Sequence, residues 1–111
     1  MKATIWHNPR CGTSRNTLAL LQEAGAQVTV VEYLRDPPSR DELKRIYARA
    51  GMCPRDGLRA KDPAARDLAN ARDEEIIDAM MLNPVLIERP LVETEKGVVL
   101  ARPPERVREI L

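Results

Sequence analysis

Residues 2 to 34 read as strand, break, helix, break and strand, and that order within about thirty residues leaves the chain few ways to fold. Lys2 to His7 holds the apolar run Ala3-Thr4-Ile5-Trp6 and predicts a short, largely buried strand. Asn8-Pro9 stops it. Leu18, Leu21 and Ala24 or Gly25 then recur at helical spacing, which predicts a helix over about Gly12 to Ala24, with Gly25 in the position where helices end on a left-handed residue. Gln27 to Leu34 is rich in valine and predicts a second strand. Strand, helix and strand in so short a span indicate a βαβ unit with parallel strands.

The remainder adds helices and then a hairpin. Asp36-Pro37-Pro38 ends the second strand, and Ser39 with Glu42 has capping-box spacing, so a helix is expected from there to about Ala50, stopped by Gly51. Met52 to Arg72 is irregular and reads as short helical turns. Asp73 opens another helix with Ile76, Ile77, Met80 and Met81 on its apolar face, ended by Asn83-Pro84. Leu91–Thr94 and Val98–Leu100 predict an antiparallel pair around the turn Glu95-Lys96-Gly97. Pro103-Pro104 begins a final helix, Glu105 to Leu111, with Val107, Ile110 and Leu111 facing inward. The expected fold class is α/β: one domain over residues 1–111, a small mixed sheet of β-α-β … β-β-α order, and a helical insertion over approximately residues 39–82.

Composition excludes several functions. The chain has 111 residues, a net charge of +1, three aromatic residues (Trp6, Tyr33 and Tyr47) and no Phe. Without aromatic platforms or a basic field, no nucleic-acid partner is expected. One histidine excludes a multi-histidine metal site, and no metal is expected. No apolar run has the length of a signal peptide or a membrane span, so no membrane association is expected. Two widely spaced cysteines, Cys11 and Cys53, fit reduced thiols and a cytoplasmic location.

The chemistry concentrates in His7-Asn8-Pro9-Arg10-Cys11-Gly12-Thr13-Ser14-Arg15. Cys11 falls at the junction between strand and helix, where free backbone N–H groups and the helix dipole favour a thiolate. Arg10 and Arg15 add positive charge. Ser14 either hydrogen-bonds the thiolate or caps the helix, His7 either supports the thiolate or bonds to backbone, and Asn8 either contacts the oxyanion or makes an Asx-turn, of which the turn is expected. A dithiol C-x-x-C motif would need a cysteine where Ser14 stands, and a phosphatase C-x5-R loop would need an arginine where Thr17 stands. What is left is one nucleophilic thiolate that needs an external thiol for any redox turnover. Cys53, between Met52 and Pro54, reads as structural or incidental.

The chain resembles the glutaredoxin-dependent arsenate reductases. The family's H-N-P-x-C-G-T-S-R-N-T stretch matches His7 through Thr17, and its Y-L-x-x-P-P-S-R-x-E-L stretch matches Tyr33 through Leu43. Gly57-Leu58-Arg59, Asn83 through Pro90, and Arg102-Pro103 match three further motifs in order. The resemblance implies a thioredoxin-like fold with a helical insertion and a catalytic set of Cys11 as nucleophile with Arg59, Arg89 and Arg102. His7, Asn8, Ser14 and Arg15 become supporting residues. It also implies a cis bond at Arg89-Pro90, arsenate as substrate, glutathione as co-substrate with no bound cofactor, and glutaredoxin as partner in arsenical resistance. Guanidinium groups suit a tetrahedral oxyanion because they bind it bidentately and stay charged.

Two other readings belong to the same superfamily. One is a glutathione-dependent thiol oxidoreductase without arsenate activity, which usually varies in the arginine set. The other is a regulator that binds RNA polymerase, a branch that commonly carries C-x-x-C. Ser14 and the retained arginines favour the reductase.

Overall fold

The computed structural model describes residues 1–111. Its strands are β1 (Lys2–His7), β2 (Gln27–Glu32), β3 (Leu91–Thr94) and β4 (Gly97–Leu100), and its α-helices are α1 (Gly12–Glu23), α2 (Arg40–Ala50) and α3 (Asp73–Leu82). Short 3₁₀ segments occupy Pro54–Gly57, Pro63–Leu68, Pro84–Leu86 and Pro104–Ile110. The chain divides into two compact units, Met1–Asp36 with Arg89–Leu111, and Pro37–Glu88.

The first unit holds the sheet, in the order β2-β1-β3-β4. β1 runs parallel to β2 and antiparallel to β3, and β3 pairs with β4 as a hairpin. This is the thioredoxin-like arrangement, with the βαβ unit and the hairpin sharing β1 and β3 as central strands. Ile5, Leu21, Val92, Ala101 and Val107 are fully buried in one cluster that joins sheet, α1 and the C-terminal segment. Ile5, Leu21, Val92 and Val107 each contribute about 1.5–3 kcal/mol through burial.

Gly25 ends α1 as predicted. Its φ of 77° is left-handed, and it donates to Gln22 O while Ala26 donates to Leu21 O. Those two bonds are a Schellman cap. The buried stripe of α1 differs from the expected one: Ser14, Thr17 and Leu21 are buried, Leu18 only partly, and Ala24 is exposed. Burial of the two hydroxyls is compensated: Ser14 Oγ pairs with His7 and Asn8, and Thr17 Oγ1 donates to Thr13 O (2.9 Å).

Two element boundaries also depart from expectation. β2 stops at Glu32 and does not reach Leu34. Its only partner strand ends at His7, opposite Glu32, and Arg35 and Asp36 N–H then close a turn onto Glu32 O. The last helix is 3₁₀ throughout, although Val107 and Ile110 face inward as expected. Pro103 and Pro104 supply no N–H, and the end is pinned from outside: Thr94 Oγ1 donates to Ile110 O (2.6 Å) and Lys96 Nζ to Leu111 O (2.8 Å).

The second unit is helical. Ser39 caps α2 by accepting from Glu42 N–H. Leu43, Ile46 and Tyr47 of α2 and Ile76, Ile77 and Met80 of α3 are buried, and Arg40 bridges the two helices through Glu74 and Asp78. Met81 is only partly buried. A two-residue bridge, Leu58 opposite Ile87, closes the unit near its C-terminal end.

Candidate active site

Cys11 is the N-cap residue of α1, with extended backbone (φ −94°, ψ 121°). Its N–H donates to Asn8 O (3.0 Å), which folds the loop after β1 into a turn. Asn8 Oδ1 accepts from Arg10 N–H (3.0 Å), the expected Asx-turn. The sulfur therefore stands where a helix leaves its first N–H groups free.

Burial by itself would push the Cys11 thiol up. The backbone N–H of Ser14, hydrogen bonding and charge from Arg89, and hydrogen bonding from Arg102 outweigh it, so the thiol lies below its ordinary value. Arg102 Nη1 is 3.9 Å from Sγ and also donates to Arg89 O (3.0 Å). All of these favour the thiolate, the form that attacks.

The hairpin explains why two arginines far apart in sequence meet at one sulfur. Leu91 is opposite Leu100 and Val92 opposite Val99. Just beyond the paired end, Ala101 N–H donates to Pro90 O (2.9 Å) and Arg102 Nη1 donates to Arg89 O (3.0 Å), so both arginines stand at the same end of the hairpin. Trp6 of β1 is opposite Leu91, so this end of the hairpin lies beside the end of β1 from which the cysteine loop departs. Arg89-Pro90 is cis, as the resemblance implied, and Arg102-Pro103 is cis as well, which no reading of the sequence anticipated.

The Ser14 side chain and His7 act differently from expectation. The Ser14 side chain is turned away from the thiol: its Oγ pairs with His7 Nδ1 (2.6 Å) and accepts from Asn8 N–H (3.1 Å), fully buried. Ser14 reaches the thiolate through its backbone alone. His7 is buried, and that burial, with the Arg15 charge, lowers its pKa against the opposing pull of Glu32. It holds Ser14, and through it the loop. Arg15 donates to Pro9 O (3.0 Å) at the surface and braces the loop from outside.

Arg59 belongs to the second unit, where its guanidinium pairs with Glu88 (2.9 Å). The bridge at Leu58 positions it: Arg59 N–H donates to Leu86 O and Glu88 N–H to Gly57 O, both 2.8 Å. Cys53 is exposed, with its N–H and Sγ on Asp56 Oδ2. It has no place in a core.

Comparison with known proteins identifies the family of the chain. The ArsC family model matches residues 6–110. An arsenate reductase of Rhizobium meliloti is 49% identical, over all of this chain and 82% of its own length. One of Escherichia coli is 46% identical over 97% of this chain and 79% of its own. The solved structure of an arsenate reductase from Vibrio cholerae superposes with a TM-score of 0.93 at 40% identity, covering 100% of this chain and 98% of that one. With a family model spanning nearly every residue, and relatives this similar over most of their length, the chain belongs to the ArsC family.

Proposed function

We infer that this chain is an arsenate reductase that works through an arseno-thiol on Cys11, with glutathione and a glutaredoxin supplying the electrons. The observation that carries the reading is the convergence of a helix N-terminal N–H, Arg89 and Arg102 on one sulfur. The same cations that stabilise a thiolate attract a tetrahedral oxyanion to it. Arg59 is assigned the third guanidinium by its motif.

The thiolate forms an S–As bond and one arsenic oxygen leaves as water, with protons drawn from solvent; arsenic remains As(V). A glutathione thiol replaces a second oxygen in the same way and releases a second water. A glutaredoxin thiol then attacks the glutathione sulfur. An S–S bond forms, and the As–S bond to glutathione breaks with its electron pair left on arsenic, now As(III). Water cleaves the remaining bond, releasing arsenite and the Cys11 thiol. The loop holds a single sulfur, so the second and third thiols come from outside. A cytoplasmic location supplies both in reduced form; no helix of this chain is long and apolar enough to cross a membrane.

The test is arsenate-dependent NADPH oxidation with glutathione, glutaredoxin and glutathione reductase. Cys11→Ser is expected to abolish arsenite formation, and Arg59→Ala, Arg89→Ala and Arg102→Ala to weaken it severely. Full activity in Cys11→Ser overturns the reading, as does turnover of a glutathione mixed disulfide with no arsenite released.

A further inference from the structure

We propose that a cavity beside the cysteine loop, between the ends of β1 and β2, binds glutathione and recognises it by its three charges through Arg10, Arg35 and Glu32. The proposal rests on the arsenate-reductase reading for the need for this co-substrate, and on the cavity for everything else.

The cavity has a volume of about 350 Å³ and is lined by His7, Asn8, Arg10, Glu32, Leu34 and Arg35 among others. That lies within the range of about 300–1,000 Å³ usual for small-molecule sites. Its floor is preformed: His7 and Asn8 are buried, and both are tied to Ser14. Leu34, 45% exposed, gives it one apolar wall. Leu34 and Arg35 reach the rim because β2 stops at Glu32 and the chain turns there.

The rim carries three exposed charged side chains, and no hydrogen bond or ion pair engages the guanidinium of Arg10 or Arg35 or the carboxylate of Glu32. Two cations and an anion share one opening without neutralising each other. Glutathione at neutral pH carries the complementary set: two carboxylates, on its glycine and on its γ-glutamyl end, and one α-ammonium. Each guanidinium fork can bind a carboxylate bidentately, and Glu32 can accept from the ammonium. The cavity adjoins the nucleophile's loop: Asn8, Pro9 and Arg10 line it, and Arg10 directly precedes Cys11.

Binding is read with S-methylglutathione, which has no free thiol, titrated into the full chain by NMR without arsenate or glutaredoxin. Amide shifts at Arg10, Glu32, Leu34 and Arg35 are expected, weakening as salt is raised. Arg35→Glu and Glu32→Lys are each expected to raise the Kd, and the KM for glutathione in the coupled assay, about tenfold, with the KM for arsenate and the alkylation rate of Cys11 unchanged. Absence of shifts at millimolar ligand overturns the proposal. So does an unchanged glutathione KM in both reversals, or a response confined to the KM for glutaredoxin. Loss of the arsenate-reductase reading looks different: no arsenite is formed, while S-methylglutathione still binds and both reversals still weaken it.

Discussion

Gly57→Ala tests how tightly the second unit positions Arg59. A Cβ built at Gly57 would lie 2.4 Å from both Cζ and the hydroxyl of Tyr47 and 2.6 Å from Cε1. Carbon atoms pack best at about 3.5–4.0 Å, so the ring would have to retreat by about 1 Å. It has little room: Tyr47 is 1% exposed, and its hydroxyl donates to Met80 Sδ, itself fully buried. Overpacking costs about 1–3 kcal/mol, and three ring atoms met at once place this change near 3 kcal/mol. Against a total stability of about 5–15 kcal/mol, that is a large fraction. The strain would also reach Arg59, because Gly57 O accepts from Glu88 N–H in the bridge that holds the Arg59–Glu88 pair. Urea unfolding of Gly57→Ala, Tyr47→Leu and the double variant measures the effect. Removing the ring should relieve the clash, leaving a coupling energy of about 2 kcal/mol in the cycle. A loss below about 1 kcal/mol in Gly57→Ala, or strict additivity, refutes the reasoning.

Alkylation of Cys11 by iodoacetamide should show a midpoint below the ordinary thiol value, moving upward in Arg89→Ala and Arg102→Ala. Because the thiol is lowered in the folded state, its contribution to stability is complete above the unfolded thiol value and lost as pH falls through the folded one; Cys11→Ser should lack that pH-dependent part of the urea midpoint. His7, the one histidine, gives a single NMR titration, expected below 6.5. Its lowered value makes stability fall as pH drops from the unfolded value of 6.5 through the folded one, and His7→Gln should flatten the pH dependence of Tm across that interval. Ser14→Ala strands His7 Nδ1 and Asn8 N–H and should cost about 1–3 kcal/mol of stability in urea unfolding. It retains the Ser14 N–H, so the alkylation midpoint should stay close to wild type, whereas a shift as large as that of Arg89→Ala would show that the side chain acts on the thiol directly.

Features encoded by neighbouring residues are legible in the amino-acid sequence alone. Asn8-Pro9, Gly25 and Ser39 mark ends that depend on local φ, ψ and capping, and they fall where the elements break. The placement of Cys11 at a helix N-terminus follows from the same signals. Helix type at the C-terminus does not, since Pro104–Ile110 is held by Thr94 and Lys96 from other parts of the chain. Nor does the orientation of Ser14: a serine three residues after a cysteine could face either the thiol or the strand behind it, and the His7 ring decides for the strand.

The sequence by itself determined a thiolate-bearing loop inside a βαβ unit, because strand, break and helix are short-range properties. It also determined that this loop has one sulfur, because Ser14 stands where a second cysteine would be. Only the tertiary structure decided which cations meet that sulfur. Arg89 and Arg102 converge on Cys11 through the register of β3 with β4 and of β1 with β3, and register is set by pairing between distant segments, not by local propensity. The pairing of β1 with β2 ends at Glu32, opposite His7, and Glu32, Leu34 and Arg35 stand at the rim of the cavity beside the loop.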